Sequence, residues 1–171
     1  MVANQEVSLE VINEFLAQKR VAMIGMSRRR SDFSFMLFEE MCRRGYDVVP
    51  VNPKASELFG RRCFARVQDV QPPVEAVLLM TSPEVTDAVV QDCAEAGVRM
   101  VWMYRAGGKG GAVSRQAVEF CREHGMQVVP GQCPFMFWSN AGAGHRIHGF
   151  IRKITGRYPR HDHASSGKAA A

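Results

Sequence analysis

Residues 21–34 read VAMIGMSRRRSDFS, and their reading decides the fold. Four apolar residues, Val21 to Ile24, run straight into Gly25. A near-continuous apolar run of this length predicts a strand covered on both faces, as in a parallel sheet. A glycine directly after such a strand is how a dinucleotide-binding turn between strand and helix begins. That fingerprint would continue with Gly-x-x-Gly, but here Met26, Ser27 and the arginines 28–30 follow. Gly25 lets backbone approach a ligand, Ser27 offers a hydroxyl, and Ser31, Asp32 or Ser34 can cap the helix that follows. A helix N-terminus attracts phosphate, and Arg28 to Arg30 would add charge-assisted hydrogen bonds. Two readings stand for this turn: an anion site and a solvated basic loop.

The pattern around it repeats. Ser8 is placed to cap a helix carrying Leu9, Ile12, Phe15 and Leu16 inward. Residues 35–44 show Met36, Leu37 and Met41 at helical spacing, with Gly45 at the C′ position. YDVVPV (46–51) predicts a second strand, closed by Asn52-Pro53, and RRCF (61–64) a short irregular one after a turn at Gly60. EAVLLM (75–80) is the next buried strand. In the segment that follows, Ser82 can cap, Pro83 suits the first helical position and Glu84 the first turn. Val85, Ala88, Val89, Cys93 and Ala96 are read as its inward stripe, ended by Gly97. RMVWMY (99–104) and MQVVP (126–130) are strands flanking a glycine loop and a helix with Val113, Ala117 and Cys121 inward.

Strands alternating with helices of about ten residues imply βαβ units with right-handed crossovers. The expected fold is therefore α/β: a Rossmann-like, doubly wound, mostly parallel sheet with helices on both faces, plus a C-terminal helix. The expected organisation is a domain over 1–134, a basic helical extension over 135–164, and a disordered tail over 165–171. The 171 residues suffice for one domain that buries its own core. No run of 18 apolar residues predicts a membrane span, and the N-terminus has no secretory pattern. Five scattered cysteines without a CxxC pair read as reduced thiols. Together these favour the cytoplasm. The net charge of +5 favours an anionic partner.

In open α/β sheets, ligands bind beyond the carboxyl ends of the strands. That rule selects the loops 25–34, 51–55, 80–83 and 104–111. A NAD site usually places an acid at the end of the second strand, to hold ribose hydroxyls. This sequence places Asn52, Pro53 and Lys54 there. A lysine suits a phosphate near the adenosine ribose, as NADP and coenzyme A carry; the alternative is an exposed turn lysine. Thr81 and Ser82 offer hydroxyls at a helix start, although capping explains them equally well. YRAGGKGG (104–111) lacks the phosphate-loop pattern GxxxxGK[ST] and reads as a lid or a solvated loop.

The blocks KRVAMIGMS (19–27), GYDVVPVNPK (45–54), GRRCF (60–64), VLLMTSPEV (77–85), AGVRMVWMYRAG (96–107) and GQCP (131–134), taken in this order, resemble the small CoA-binding domain proteins. These are stand-alone relatives of the N-terminal domain of the succinyl-CoA ligase α subunit. The resemblance covers about residues 18–134. It implies a Rossmann-like fold that binds coenzyme A or an acyl-CoA across the strand ends. It implies phosphate contacts from Gly25, Ser27, Arg28 and Arg30, with Ser34 and the Asn52-Pro53-Lys54 block alongside. It implies that Met80, Thr81, Ser82 and Pro83, with Tyr104 and Arg105, line the adenine or pantetheine path. Many relatives carry an aromatic or basic stretch where this chain has residues 80–83. The ligase's second domain, with its phosphorylated histidine, has no counterpart here.

Other signals are weighed against this. Cys133 before Pro134 could meet a ligand thiol, but reads better as a buried small side chain. His145 and His148 stand three apart without further ligands at suitable spacing, so no metal is expected. The basic helix over 145–160 suits packing within the chain or in a homodimer. No nucleic-acid-binding pattern occurs. No hydrolase elbow or zinc-protease pattern occurs either, and a site rich in Arg, Lys and Ser suits binding an anion rather than acid–base chemistry. The expectation is a binding module without a catalytic set, its partner a small anionic nucleotide. The alternatives are an NADP-dependent oxidoreductase and a protein-interaction module led by the basic helix.

Overall fold

The structure, a computed structural model, describes residues 7–105 and 111–138. Five parallel strands form one sheet: β1 (Arg20–Ile24), β2 (Asp47–Val51), β5 (Ala76–Leu79), β6 (Met100–Tyr104) and β7 (Gln127–Gln132). Their spatial order is β2-β1-β5-β6-β7. The chain winds outward from β1 to β2, returns, and winds the other way through β5, β6 and β7. The switch point lies between β1 and β5, which pair in register from Val21 with Ala76 to Ile24 with Leu79. A switch point in an open parallel sheet opens a crevice between the loops that diverge there.

The strands are apolar throughout because both faces are covered. One layer holds α1 (Leu9–Ala17) and α2 (Phe33–Arg43), whose Ile12, Phe15, Leu37, Phe38 and Met41 pack with Val21, Met23, Leu78 and Trp102. The other holds α3 (Pro83–Glu95) and α4 (Arg115–Glu123), whose Val90, Cys93, Ala117 and Cys121 pack with Ala22, Val77, Leu79 and Val101. Successive strand residues therefore alternate between the two cores, as strand geometry demands. The Trp102 indole N–H donates to the Gln132 carbonyl at 2.9 Å, which ties β6 to β7 where their register shifts.

Local signals place the helices. The Ser8 hydroxyl accepts from the Glu10 N–H at 3.1 Å, and Ser114 caps α4 by accepting from Ala117. Two readings of helix faces shift. Met36 is exposed, and the buried face of α2 is Ser34, Phe35, Leu37, Phe38 and Met41. Likewise α3 buries Thr86, Val90 and Cys93, whereas Val85 and Ala88 are exposed. Helical spacing fits either of two adjacent stripes here, and the docking of α3 on the sheet selects the second. RRCF becomes half of a hairpin: β3 (Glu57–Leu58) and β4 (Arg61–Arg62) pair antiparallel around Phe59-Gly60.

Residues 134–138 pack on the α1–α2 layer, where Met136 and Trp138 are buried. The expected basic helix, the histidines beyond it and the polar tail lie outside the described residues, as do residues 106–110 of the fourth loop. No helix among the described residues is long and apolar enough to cross a membrane.

Candidate functional site

The loops that leave β1 and β5 meet over the switch point. Gly25 has φ +85°, a conformation that glycine adopts readily. A Cβ there would stand 2.8 Å from Thr81 Cγ2, 2.9 Å from the Met80 carbonyl carbon and 3.0 Å from Thr81 N. The glycine thus lets two turns touch backbone to backbone. The Gly25 N–H donates to the Val51 carbonyl at 3.4 Å, and the Met80 N–H to the Ile24 carbonyl at 2.8 Å. Three strand ends, β2, β1 and β5, are locked side by side.

Side chains extend the lock. Asn52 donates through Nδ2 to the Met26 carbonyl at 3.2 Å and accepts the Lys54 N–H on Oδ1 at 2.9 Å. It fixes the first and second loops to each other and shapes the turn that presents Lys54. The buried Ser34 hydroxyl accepts from the Ser27 N–H at 3.0 Å, and the Ser27 hydroxyl accepts from the Arg29 N–H at 3.1 Å. Both serines are used in folding the turn. At the start of α3 the Thr86 hydroxyl donates to the Ser82 carbonyl at 3.0 Å. Its proton is committed there, so Thr81 is the donor in the 2.7 Å contact between the two threonine hydroxyls.

These turns border a groove of about 360 Å³, a size that accommodates a nucleoside-sized group. Gly25, Asn52, Pro53 and Thr81, four of the residues expected to meet a ligand, line it. Its walls are mostly apolar: Ile24, Val51, Val67, Val85 and Val89, with Arg66 and Asp92 also lining it. Arg66 donates to Asp92 at 2.8 Å and lies 3.9 Å from Glu95. Burial raises the Asp92 pKa, but the hydrogen bonds from Arg66 and Gln68 outweigh it and hold the carboxyl below its ordinary value. Arg66, Val67 and the wall from α3 escaped the sequence reading. The signal was present in Val85, Val89 and Asp92, spaced i, i+4, i+7. Val85 and Val89 belong to the stripe expected to face inward; both border the groove, and Val89 also packs against the core beside it.

The remaining expected residues divide. Ser27, Lys54, Ser82 and Pro83 sit in the turns around the groove without lining it. Arg28, Arg29, Lys54 and Arg105 are exposed, and none forms an ion pair among the described residues. Arg30 is exposed as well, but its guanidinium lies over the Phe35 ring, 5.0 Å from its centroid, and over Phe59 at 5.6 Å. Met80 and Tyr104 send their side chains to the α2 layer. There Tyr104 stacks on Phe33, with centroids 4.9 Å apart. Burial pushes its phenol up to about 12, with the Cys133 thiol adding to the shift. Burial also pushes the Cys133 thiol up, so it is a poor nucleophile. No group of three or more His, Cys, Asp or Glu that could hold a metal occurs among the described residues. A second crevice, of about 270 Å³, contains Arg20, Arg61 and Arg62; Arg20 and Arg61 are paired with Asp47.

Relatives share this architecture. A hypothetical protein from Pyrococcus horikoshii OT3 superimposes with a TM-score of 0.69 at 26% identity, over 77% of this chain and 89% of its own. YneT of Bacillus subtilis (strain 168) is 27% identical over 130 residues, covering 75% of this chain and 93% of that protein. An ADP-forming acetate–CoA ligase of Methanocaldococcus jannaschii is 27% identical over 89 residues, covering 52% of this chain and 13% of the ligase. The chain thus matches a small part of the ligase and nearly all of YneT. A family model described as a CoA binding domain matches residues 19–138, which hold all five sheet strands and every wall of the groove: this chain belongs to the CoA-binding domain family.

Proposed function

We propose that this protein binds coenzyme A or an acyl-CoA, with the nucleotide end in the groove over the switch point. The observation that carries this reading is the joint placement of Gly25, Asn52-Pro53-Lys54 and Thr81 around one mostly apolar cleft. The residues present suit the ligand. Val67, Val85 and Val89 offer surface to a flat base. The N-terminus of α2, which follows the Gly25 turn, suits a phosphate. Lys54 stands exposed at the end of β2, where a ribose-linked phosphate would lie and where an acid would serve NAD. The rings of Phe33, Tyr104 and Phe135, which contact one another, provide an apolar path for the pantetheine arm on the other side of the strand ends.

The role follows from the turns around the cleft. Their exposed arginines and Lys54 suit an anion, and the reading assigns no catalytic residue. It is a binding module of regulation or acyl-group metabolism, acting in the cytoplasm, with a homodimer as one candidate assembly. The ligase reaction is not transferred to it, because the chain spans a minor part of the ligases it matches.

The test is calorimetry of the purified protein with coenzyme A, dephospho-CoA and NADPH, together with mass spectrometry of any ligand released on denaturation. Coenzyme A should bind, and dephospho-CoA more weakly. Heat from NADPH with none from coenzyme A overturns the proposal. Lys54→Glu should weaken coenzyme A binding by one to two orders of magnitude, since a lost charge-assisted hydrogen bond is worth roughly 1.5–3 kcal/mol. Unchanged affinity removes Lys54 from the site.

A further inference from the structure

The hairpin β3–β4 turns through only two residues, Phe59 and Gly60, between the paired Leu58 and Arg61. Both have positive φ, +52° and +76°. Two-residue turns of this kind favour Asn-Gly or Asp-Gly, because both positions need positive φ. Gly60 meets the demand and Phe59 does not. Phe59 is the one non-glycine residue with positive φ among the described residues, and for a bulky side chain that conformation is an outlier.

The ring held there is engaged. Its centroid lies 4.5 Å from that of Phe35 and 5.7 Å from that of Phe38. Arg30 sits over the Phe35 ring at 5.0 Å and the Phe59 ring at 5.6 Å. Arg30 belongs to the arginine run of the Gly25 turn, yet it alone of the three has a defined rest position against rings. A guanidinium stacked on an aromatic face keeps its in-plane N–H edge free, which an ion pair would consume. A side chain already ordered also loses less entropy on binding than a free one.

We infer that Phe59 is a positioning residue. It accepts an unfavourable turn conformation in order to hold Arg30 with its N–H edge open to a phosphate of the ligand at the Gly25 turn. Arg30 is then the arginine of the run that meets the ligand, and Arg28 and Arg29 remain solvated. This rests on the coenzyme A reading and adds to it which cation is used and what orients it.

The test is a double-mutant cycle read by calorimetry with coenzyme A. Arg30→Ala should weaken binding on the order of ten- to a hundredfold, as for a lost charge-assisted hydrogen bond. Phe59→Asn supplies a residue suited to the turn but removes the ring. Phe59→Leu keeps apolar bulk and removes the aromatic face. Each should weaken binding about two- to fivefold, the scale of an exposed cation–π contact, whereas Phe59→Tyr should restore it. In the Arg30→Ala background neither Phe59 change should weaken binding further. Full affinity in Arg30→Ala overturns the inference. So do equal losses from Phe59→Asn and Phe59→Leu with and without Arg30, which would mark a merely structural ring. If the unaltered protein fails to bind coenzyme A, the underlying reading falls and the inference with it. Binding in the unaltered protein with no effect of either Phe59 change defeats the inference alone.

Discussion

Gly25→Ala tests the geometry on which everything else stands. Two costs can be separated. The first is backbone: φ is +85°, and an L-residue in left-handed conformation costs roughly 1–2 kcal/mol. The second is contact. The new methyl would lie 2.8 Å from a Thr81 methyl, 2.9 Å from the Met80 carbonyl carbon and 3.0 Å from the Thr81 nitrogen. Two of these three are backbone atoms, which cannot rotate away, so the β5–α3 turn itself must move. Overpacking of this kind costs typically 1–3 kcal/mol. The sum is about 2–5 kcal/mol, a large share of a domain's usual 5–15 kcal/mol. Gly45 supplies the control, since its φ is +86° but nothing lies within 4 Å of a Cβ there. Gly45→Ala should therefore show the backbone cost alone. Urea denaturation of both variants measures the difference, expected to be about 1–3 kcal/mol with Gly25→Ala the less stable. Thermal midpoints should separate in the same order, by roughly 2–4 °C per kcal/mol for a chain of this size. Equal stability of the two variants would refute the claim that the β1 and β5 turns touch.

Two further outcomes follow from single side chains. Tyr104 has its phenol raised to about 12 by burial, against about 10 in an unfolded chain. Between those values the folded state holds a proton that the unfolded state has lost, so stability present below pH 10 declines as pH rises toward 12. Denaturation midpoints should fall more steeply from pH 9.5 to 11.5 in the unaltered protein than in Tyr104→Phe, and parallel curves would contradict this. Thr86 is fully buried and its hydroxyl bridges the Ser82 carbonyl and the Thr81 hydroxyl. Thr86→Val should cost about 1–3 kcal/mol in urea denaturation through the partners left unpaired; a neutral result would mean that solvent replaces those bonds.

Much of this was legible from the chain in one dimension. Runs such as residues 21–24 and 76–79 specify strands buried on both faces, because no polar residue interrupts them. Gly25, Asn52 and Thr81 were placed at the groove by the rule that ligands gather at strand ends. Arg66 and the valine wall of α3 were not, because helical periodicity marks an apolar stripe without saying which neighbour covers it. The same ambiguity holds for α2, where Met36 shares the helical spacing but is exposed while Phe35 and Phe38 turn inward.

Sequence by itself determined the α/β alternation, the buried strands and the loop set in which a ligand could sit, since each depends on spacing between near neighbours. Tertiary structure decided which turns touch, which face of α3 borders the groove, and how the arginines divide. Arg28, Arg29 and Arg30 are identical in sequence and adjacent, yet Arg30 alone stacks against Phe35 and Phe59. Phe59 lies 29 positions along the chain, brought there by a hairpin whose turn it strains to make. Contacts between residues so far apart are set by how the layers pack, and no local pattern encodes them.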